Sequence, residues 1–160
     1  CLSTYASQRD KMKGEYFVHG FTLAMTAQNR FYRPESEKDT QGGYVDIFLL
    51  PLTGIYKDML HSYIIELKYA KGKDTDEVVA RLREEAIAQA NRYADTEVVK
   101  RNIGHTTLHK IVVVYRGMDM VVIGIIRQVR FPSILQFIND QHLIVVLFQV
   151  LDTFQAFGIH

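Results

Sequence analysis

The chain has 160 residues, 48% hydrophobic and 23% charged, with a formal net charge of +1. That is the length of one domain able to bury a core without staples, and the near-neutral balance excludes an overall basic field, so any nucleic-acid site must be a local patch. The single cysteine, Cys1, excludes an internal disulfide and a cysteine-built metal knuckle and accords with a reducing, cytoplasmic setting. No signal peptide is visible, and the longest apolar run, LIVVLF at 143–148, is too short to span a bilayer, so no membrane association is expected. Because the first residue is Cys, the expectation is a domain drawn from a longer protein.

In chain order, QRDKMKGEYFVHGFTLAMTA (8–27) reads as a helix with Met12, Tyr16, Leu23 and Ala27 near one face. FYRPE (31–35) is a short extended piece, and KDTQGG (38–43) is a turn whose glycines allow positive φ. YVDIFLLP (44–51) is a strand stopped by Pro51, LTGIYKDMLH (52–61) a connection, and SYIIELKY (62–69) a second buried strand. DTDEVVARLREEAIAQANRYAD (74–95) is the clearest helix. Asp74 or Thr75 caps it, Asp76 and Glu77 suit its positive end, and Val78, Leu82, Ala86 and Tyr93 share a stripe. HKIVVVYR (109–116) and MVVIGIIR (120–127) form a hairpin around Gly117-Met118-Asp119. The order predicts an α/β fold, a sheet with helices packed on it. Residues 1–130 form the domain. The apolar tail, 131–160, is expected to pack on the domain, on a sheet edge or on a partner subunit as a homo-oligomer contact.

The chemistry concentrates in the two apolar strands. Glu66 and Lys68 are two residues apart and point the same way, and Asp46 sits inside the preceding strand. Unpaired buried charge costs several kcal/mol. Two readings stay open at this point: a plain ion pair on a half-exposed sheet face, or two carboxylates brought together by a hard divalent cation. Gln89, on the stripe of Leu82, Ala86 and Tyr93, either bonds to backbone or reaches that cluster. His105 and His109 are four apart, a metal spacing only on a helix, and they precede a strand, which argues against zinc. Lys71, Lys73, Arg81 and Arg92 are either a solvated face or a phosphate-binding patch.

An aspartate, 19 intervening residues, then E-L-K, with a glutamine on the next helix, resembles the PD-(D/E)XK nuclease superfamily. More narrowly, EYFVHGFTLAM (15–25), GGYVDIFLLP (42–51) and YIIELKY (63–69) are similar to segments of the nuclease domains at the C-terminus of bacterial AAA-ATPase-like proteins. The likeness spans about residues 10–127. It implies a mixed central β-sheet flanked by helices, the restriction-endonuclease-like core. It implies Asp46, Glu66 and the Leu67 backbone carbonyl as ligands of Mg²⁺ or Mn²⁺, with Glu15 as an additional metal-side carboxylate. Lys68 becomes the catalytic lysine and Gln89 the supporting polar residue. His19 falls in the helix motif, where structural and functional roles are both open. The proline that gives the superfamily its name is Val45 here. The implied function is metal-dependent phosphodiester hydrolysis with DNA as the expected substrate and an ATPase domain of the same parent chain as a partner. The alternative is a nuclease-fold module that binds nucleic acid or protein without turnover.

Overall fold

The computed structural model describes residues 14–126. The front of the first expected helix (8–13), Cys1 and the tail (131–160), with its expected edge-covering or oligomeric contacts, lie outside the described residues. Helix α1, Gly14–Thr26, buries Gly14, Val18, Thr22 and Thr26. These recur every four residues and so form one side of the helix. Thr22 meets the demand of a buried hydroxyl twice: Oγ1 donates to the Val18 carbonyl at 2.7 Å and lies 3.1 Å from the Tyr115 hydroxyl. The expected face through Tyr16, Leu23 and Ala27 is therefore corrected. Tyr16 is 79% exposed, Ala27 is exposed, and only Leu23 packs against the core. Close approach decides the matter, since small residues let the helix backbone settle on the sheet. A Cβ on Gly14 would sit 2.2 Å from the Tyr69 ring.

Five strands follow in chain order across one sheet: β1 (Tyr32–Asp39), β2 (Tyr44–Pro51), β3 (His61–Ala70), β4 (Thr107–Arg116) and β5 (Asp119–Ile126). β3 and β4 run parallel, and the other neighbours are antiparallel. The parallel pair needs a crossover, supplied by α2 (Asp76–Ala94) and α3 (Glu97–Ile103). This is the expected mixed sheet flanked by helices. Helix α3 was not anticipated, although TEVVKRNIG carries a capping Thr96, an acidic first turn, a basic last turn and a terminal Gly104 at φ 56. At seven residues it shows too little periodicity to stand out. β1 is longer than FYRPE, running into the expected turn, and β4 begins two residues before His109.

α1 covers one face of the sheet, packing Val18 with Ile47, Leu49, Tyr63, Ile65 and Tyr115. α2 covers the other, where Ala90 and Tyr93 meet Phe48 and Ile64 while Val79 and Ala86 meet Val112 and Val114. The buried stripe of α2 is Val79, Ala86, Ala90 and Tyr93. Its first half is thus rotated from the expected Val78 and Leu82, which are half-buried, and two alanines again bring a helix close. The turn before β2 is fastened to this helix. Gly43 has φ +131, and a Cβ there would lie 2.7 Å from the Tyr93 ring, so both conformation and space demand glycine. Its carbonyl accepts from the Thr40 amide at 3.0 Å and the Thr40 hydroxyl at 2.8 Å. Among the described residues, no helix is long and apolar enough to cross a membrane.

Candidate active site

β2 and β3 pair at Leu49↔Tyr63, Phe48↔Ile64 and Ile47↔Ile65. The next rung would join Asp46 to Glu66, and it is missing: the strands part there. On the other side of β2 the β1 ladder runs from Tyr32↔Pro51 to Asp39↔Tyr44 but skips Glu37 opposite Asp46, and Glu37 has φ 50. Asp46 therefore lacks a rung on both sides, and its polar groups find further partners. Its Oδ2 accepts the Leu67 amide hydrogen at 2.7 Å. Its carbonyl accepts from His19 Nε2 at 3.0 Å, and its own N–H supports the Glu66 carboxylate. In a strand the N–H and C=O of one residue point to the same edge, so the Leu67 carbonyl also faces the parting.

A cleft of about 230 Å³ opens at this point, with Glu15, His19, Glu37, Asp46, Lys68 and Tyr69 among its walls. Glu66 lies outside that wall, 1% exposed, and its Oε1 is buried without a hydrogen-bond donor. Burial, followed by the Asp46 charge, pushes the Glu66 carboxyl up to about 8, against the opposing pull of Lys68, the Asp46 amide and Arg92. Burial raises Asp46 as well, and the Glu15 charge adds to that. The Leu67 amide, Lys68 and His19 act the other way. The sequence left open a plain ion pair, and none is present. Among the described residues the salt bridges do not include Lys68, Asp46 or Glu66.

Two carboxylates, one raised by the charge of the other and carrying an orphaned oxygen, together with a main-chain carbonyl, make an all-oxygen donor set. Such a set fits a hard divalent cation and satisfies the buried oxygen at the same time. No group of three or more His, Cys, Asp or Glu side chains is arranged to hold an ion among the described residues, so a cation at Asp46 and Glu66 would complete its shell with main chain and water. Glu15 is exposed in the first turn of α1 and borders the same cleft.

The remaining expected residues divide. Gln89 is half-buried with its Oε1 enclosed and without a donor, so the amide faces into the protein. Lys71 and Lys73 are exposed just beyond the end of β3 that carries Lys68. Arg81 is exposed on α2 and lies 3.7 Å from Glu85. Arg92 packs over the Tyr93 ring, 5.2 Å from its centroid, and its charge acts on Glu66. His105 and His109 do not meet. His109 Nε2 instead lies 2.9 Å from His61 Nδ1, across neighbouring strands. Two residues were not anticipated. Glu37 borders the cleft, and only the β1–β2 register reveals it as the residue opposite Asp46. Lys110, on β4, is 5% exposed and donates to Asn91 Oδ1 at 2.7 Å, and it stands out in sequence as a charge inside HKIVVVYR.

A family model described as the PD-(D/E)XK nuclease superfamily matches residues 13–124. No curated protein and no solved structure matches the chain.

Proposed function

The chain belongs to the PD-(D/E)XK nuclease superfamily, and on that premise we propose that it hydrolyses phosphodiester bonds of nucleic acid, with DNA as the substrate and Mg²⁺ or Mn²⁺ as the cofactor. The observation that carries this reading is the meeting of Asp46 with an unsatisfied, buried Glu66 where β2 parts from β3, beside Lys68. A structural carboxylate would be expected to have a donor on each oxygen, whereas a carboxylate kept for a cation need not. Asp46, Glu66 and the Leu67 carbonyl would hold the ion, which when bound would supply polarisation of the scissile phosphate.

Lys68 borders the cleft, and among the described residues no salt bridge occupies its ammonium. It orients the water that attacks phosphorus and offsets charge as the leaving oxygen departs. Gln89 supports the cluster from α2. Lys71, Lys73, Arg81 and Arg92 are the residues that would hold the phosphate backbone. The likeness to ATPase-linked domains makes an ATPase domain of the same parent chain the expected partner, in a cytoplasmic setting.

The test is cleavage of supercoiled plasmid and of single-stranded DNA, with Mg²⁺, with Mn²⁺ and with chelator, by the wild type, Asp46→Ala and Lys68→Ala. Metal-dependent cleavage by the wild type should fall roughly a hundredfold or more in each variant. Lys68→Arg should rescue poorly, because a planar guanidinium does not replace a compact ammonium. Equal activity in all three proteins would reveal a contaminating nuclease. No cleavage by the wild type under any condition would assign the chain to binding without turnover.

A further inference from the structure

Asp46 stands where both of its strand ladders lack a rung. Helix α1 fills that gap with one atom. His19 Nε2 lies 3.0 Å from the Asp46 carbonyl oxygen and 3.2 Å from Ser36 Oγ on β1. We propose that His19 is a positioning residue for Asp46: its Nε2–H bridges the break between β1 and β2, holds the Asp46 peptide in place, and thereby sets the reach of the Asp46 carboxylate to the Leu67 amide and the cleft. The consequence for catalysis rests on the nuclease reading, while the geometry does not.

A carbonyl oxygen can only accept, so the nitrogen facing it must carry the hydrogen. Ser36 Oγ then acts as a second acceptor of the same N–H. The opposite tautomer would set a nitrogen lone pair against the carbonyl lone pairs at 3.0 Å. The Asp46 peptide is thus held from three directions, by its N–H toward Glu66, by His19 on its carbonyl and by Leu67 on its carboxylate. The first and third connect Asp46 to β3, and His19 ties it to α1. The helix is in turn seated against β3 through Gly14 and Tyr69. Loss of the His19 bond removes a donor from a part-buried carbonyl, which favours rotation of the peptide and withdrawal of the carboxylate from Leu67.

Glutamine and asparagine separate this role from packing and from proton transfer. The amide nitrogen of Gln extends about as far as histidine Nε2, and that of Asn about as far as Nδ1. In metal-free protein, amide hydrogen exchange at Leu67 should accelerate about tenfold in His19→Ala and His19→Asn and stay within about threefold of wild type in His19→Gln. Metal-dependent cleavage should follow the same order, with the loss in kcat rather than KM and about tenfold or more in size. Nitrogen-15 spectra of wild-type histidine side chains should show the hydrogen of His19 on Nε2, a readout that needs no variant if His19→Ala does not fold.

A hydrogen on Nδ1 alone, unchanged Leu67 exchange in a folded His19→Ala, or a His19→Gln protein that exchanges like the alanine variant would each overturn the proposal. Restored Leu67 protection without restored cleavage would also overturn it, by assigning His19 to proton transfer. A wild type that does not cleave removes the nuclease reading alone, because Leu67 exchange still decides the role of His19.

Discussion

The α2-facing side of the sheet buries two ionisable side chains on adjacent strands, and the protein treats them in opposite ways. Lys110, opposite Ile64 on the parallel ladder, is 5% exposed and spends its ammonium on Asn91 at 2.7 Å. Glu66, one same-face position further along β3, is 1% exposed, leaves Oε1 without a donor and holds its proton up to about pH 8. Around Lys110 the ladder is continuous, from His61↔Thr107 to Ala70↔Arg116. Beside Glu66 the β2 ladder has ended. A buried charge with a partner inside a closed ladder can be explained by folding alone. A buried carboxyl with one oxygen left unmet, at a break in the sheet and next to a second carboxylate, costs stability, and a ligand supplied from outside can recover that cost.

The largest expected effect sets these two residues against each other in the cleavage assay. Glu66→Gln should lower metal-dependent cleavage by about a hundredfold or more, whereas Lys110→Met, which removes the ammonium at similar volume, should stay within about threefold. Comparable losses in both would dissolve the contrast. Calorimetric titration with Mn²⁺ should show binding that Asp46→Asn weakens strongly, and unchanged binding there would remove Asp46 from the cation site.

Stability against pH comes next. Burial raises Glu66 from its ordinary 4.5 to about 8, so over this interval the folded protein keeps a proton that the unfolded chain releases. The contribution of this group is complete below about 4.5 and is lost as pH rises through about 8. Metal-free Glu66→Gln should therefore match the wild type near pH 4.5 and exceed it by on the order of a few kcal/mol above pH 8. Thermal melts across that range, with and without Mn²⁺, measure the difference. A constant offset at every pH would mean that Glu66 is ionised throughout.

On the Lys110 side, Asn91→Leu should cost about 1–3 kcal/mol in urea unfolding, because it leaves a buried ammonium unsatisfied. Adding Lys110→Met to it should recover most of that loss, since an apolar pair buries no unmet group. Additivity of the two changes would show that the bond contributes nothing. The smallest effect belongs to Arg92, the last of the influences on Glu66 and one that lowers its proton affinity. Arg92→Ala should move the Glu66 titration slightly upward, as followed by carboxyl carbon-13 shifts, and a downward movement would contradict the arrangement.

Much of this was legible in the order of residues. The strands YVDIFLLP and SYIIELKY declared themselves by branched and aromatic content, and β2 runs over the same residues, Tyr44–Pro51, as expected. The proline stop, the glycine turn at Gly43 and the acidic start of α2 follow from local chemistry that acts within a few residues. The charged Asp46, Glu66 and Lys68 stand out in sequence because apolar strands bear no unneeded charge. Helix faces were less legible. Counting large apolar residues favoured Tyr16 on α1 and Val78 on α2, yet glycine, threonine and alanine lie against the sheet, where backbone distance outweighs side-chain hydrophobicity.

By itself, then, the sequence determined which segments are strands and helices, that an Asp, a Glu and a Lys share two apolar strands, and that the ordered set resembles one nuclease superfamily. Only the tertiary structure decided that β2 lacks a rung to both neighbours at Asp46, that Glu37 stands opposite it, that His19 reaches across from α1, and that Lys110 finds an amide partner while one Glu66 oxygen does not. The reason is range. Periodicity, capping and turn chemistry act between residues a few positions apart, whereas strand register and the fate of a buried charge depend on groups tens of residues away that folding alone brings within hydrogen-bond distance.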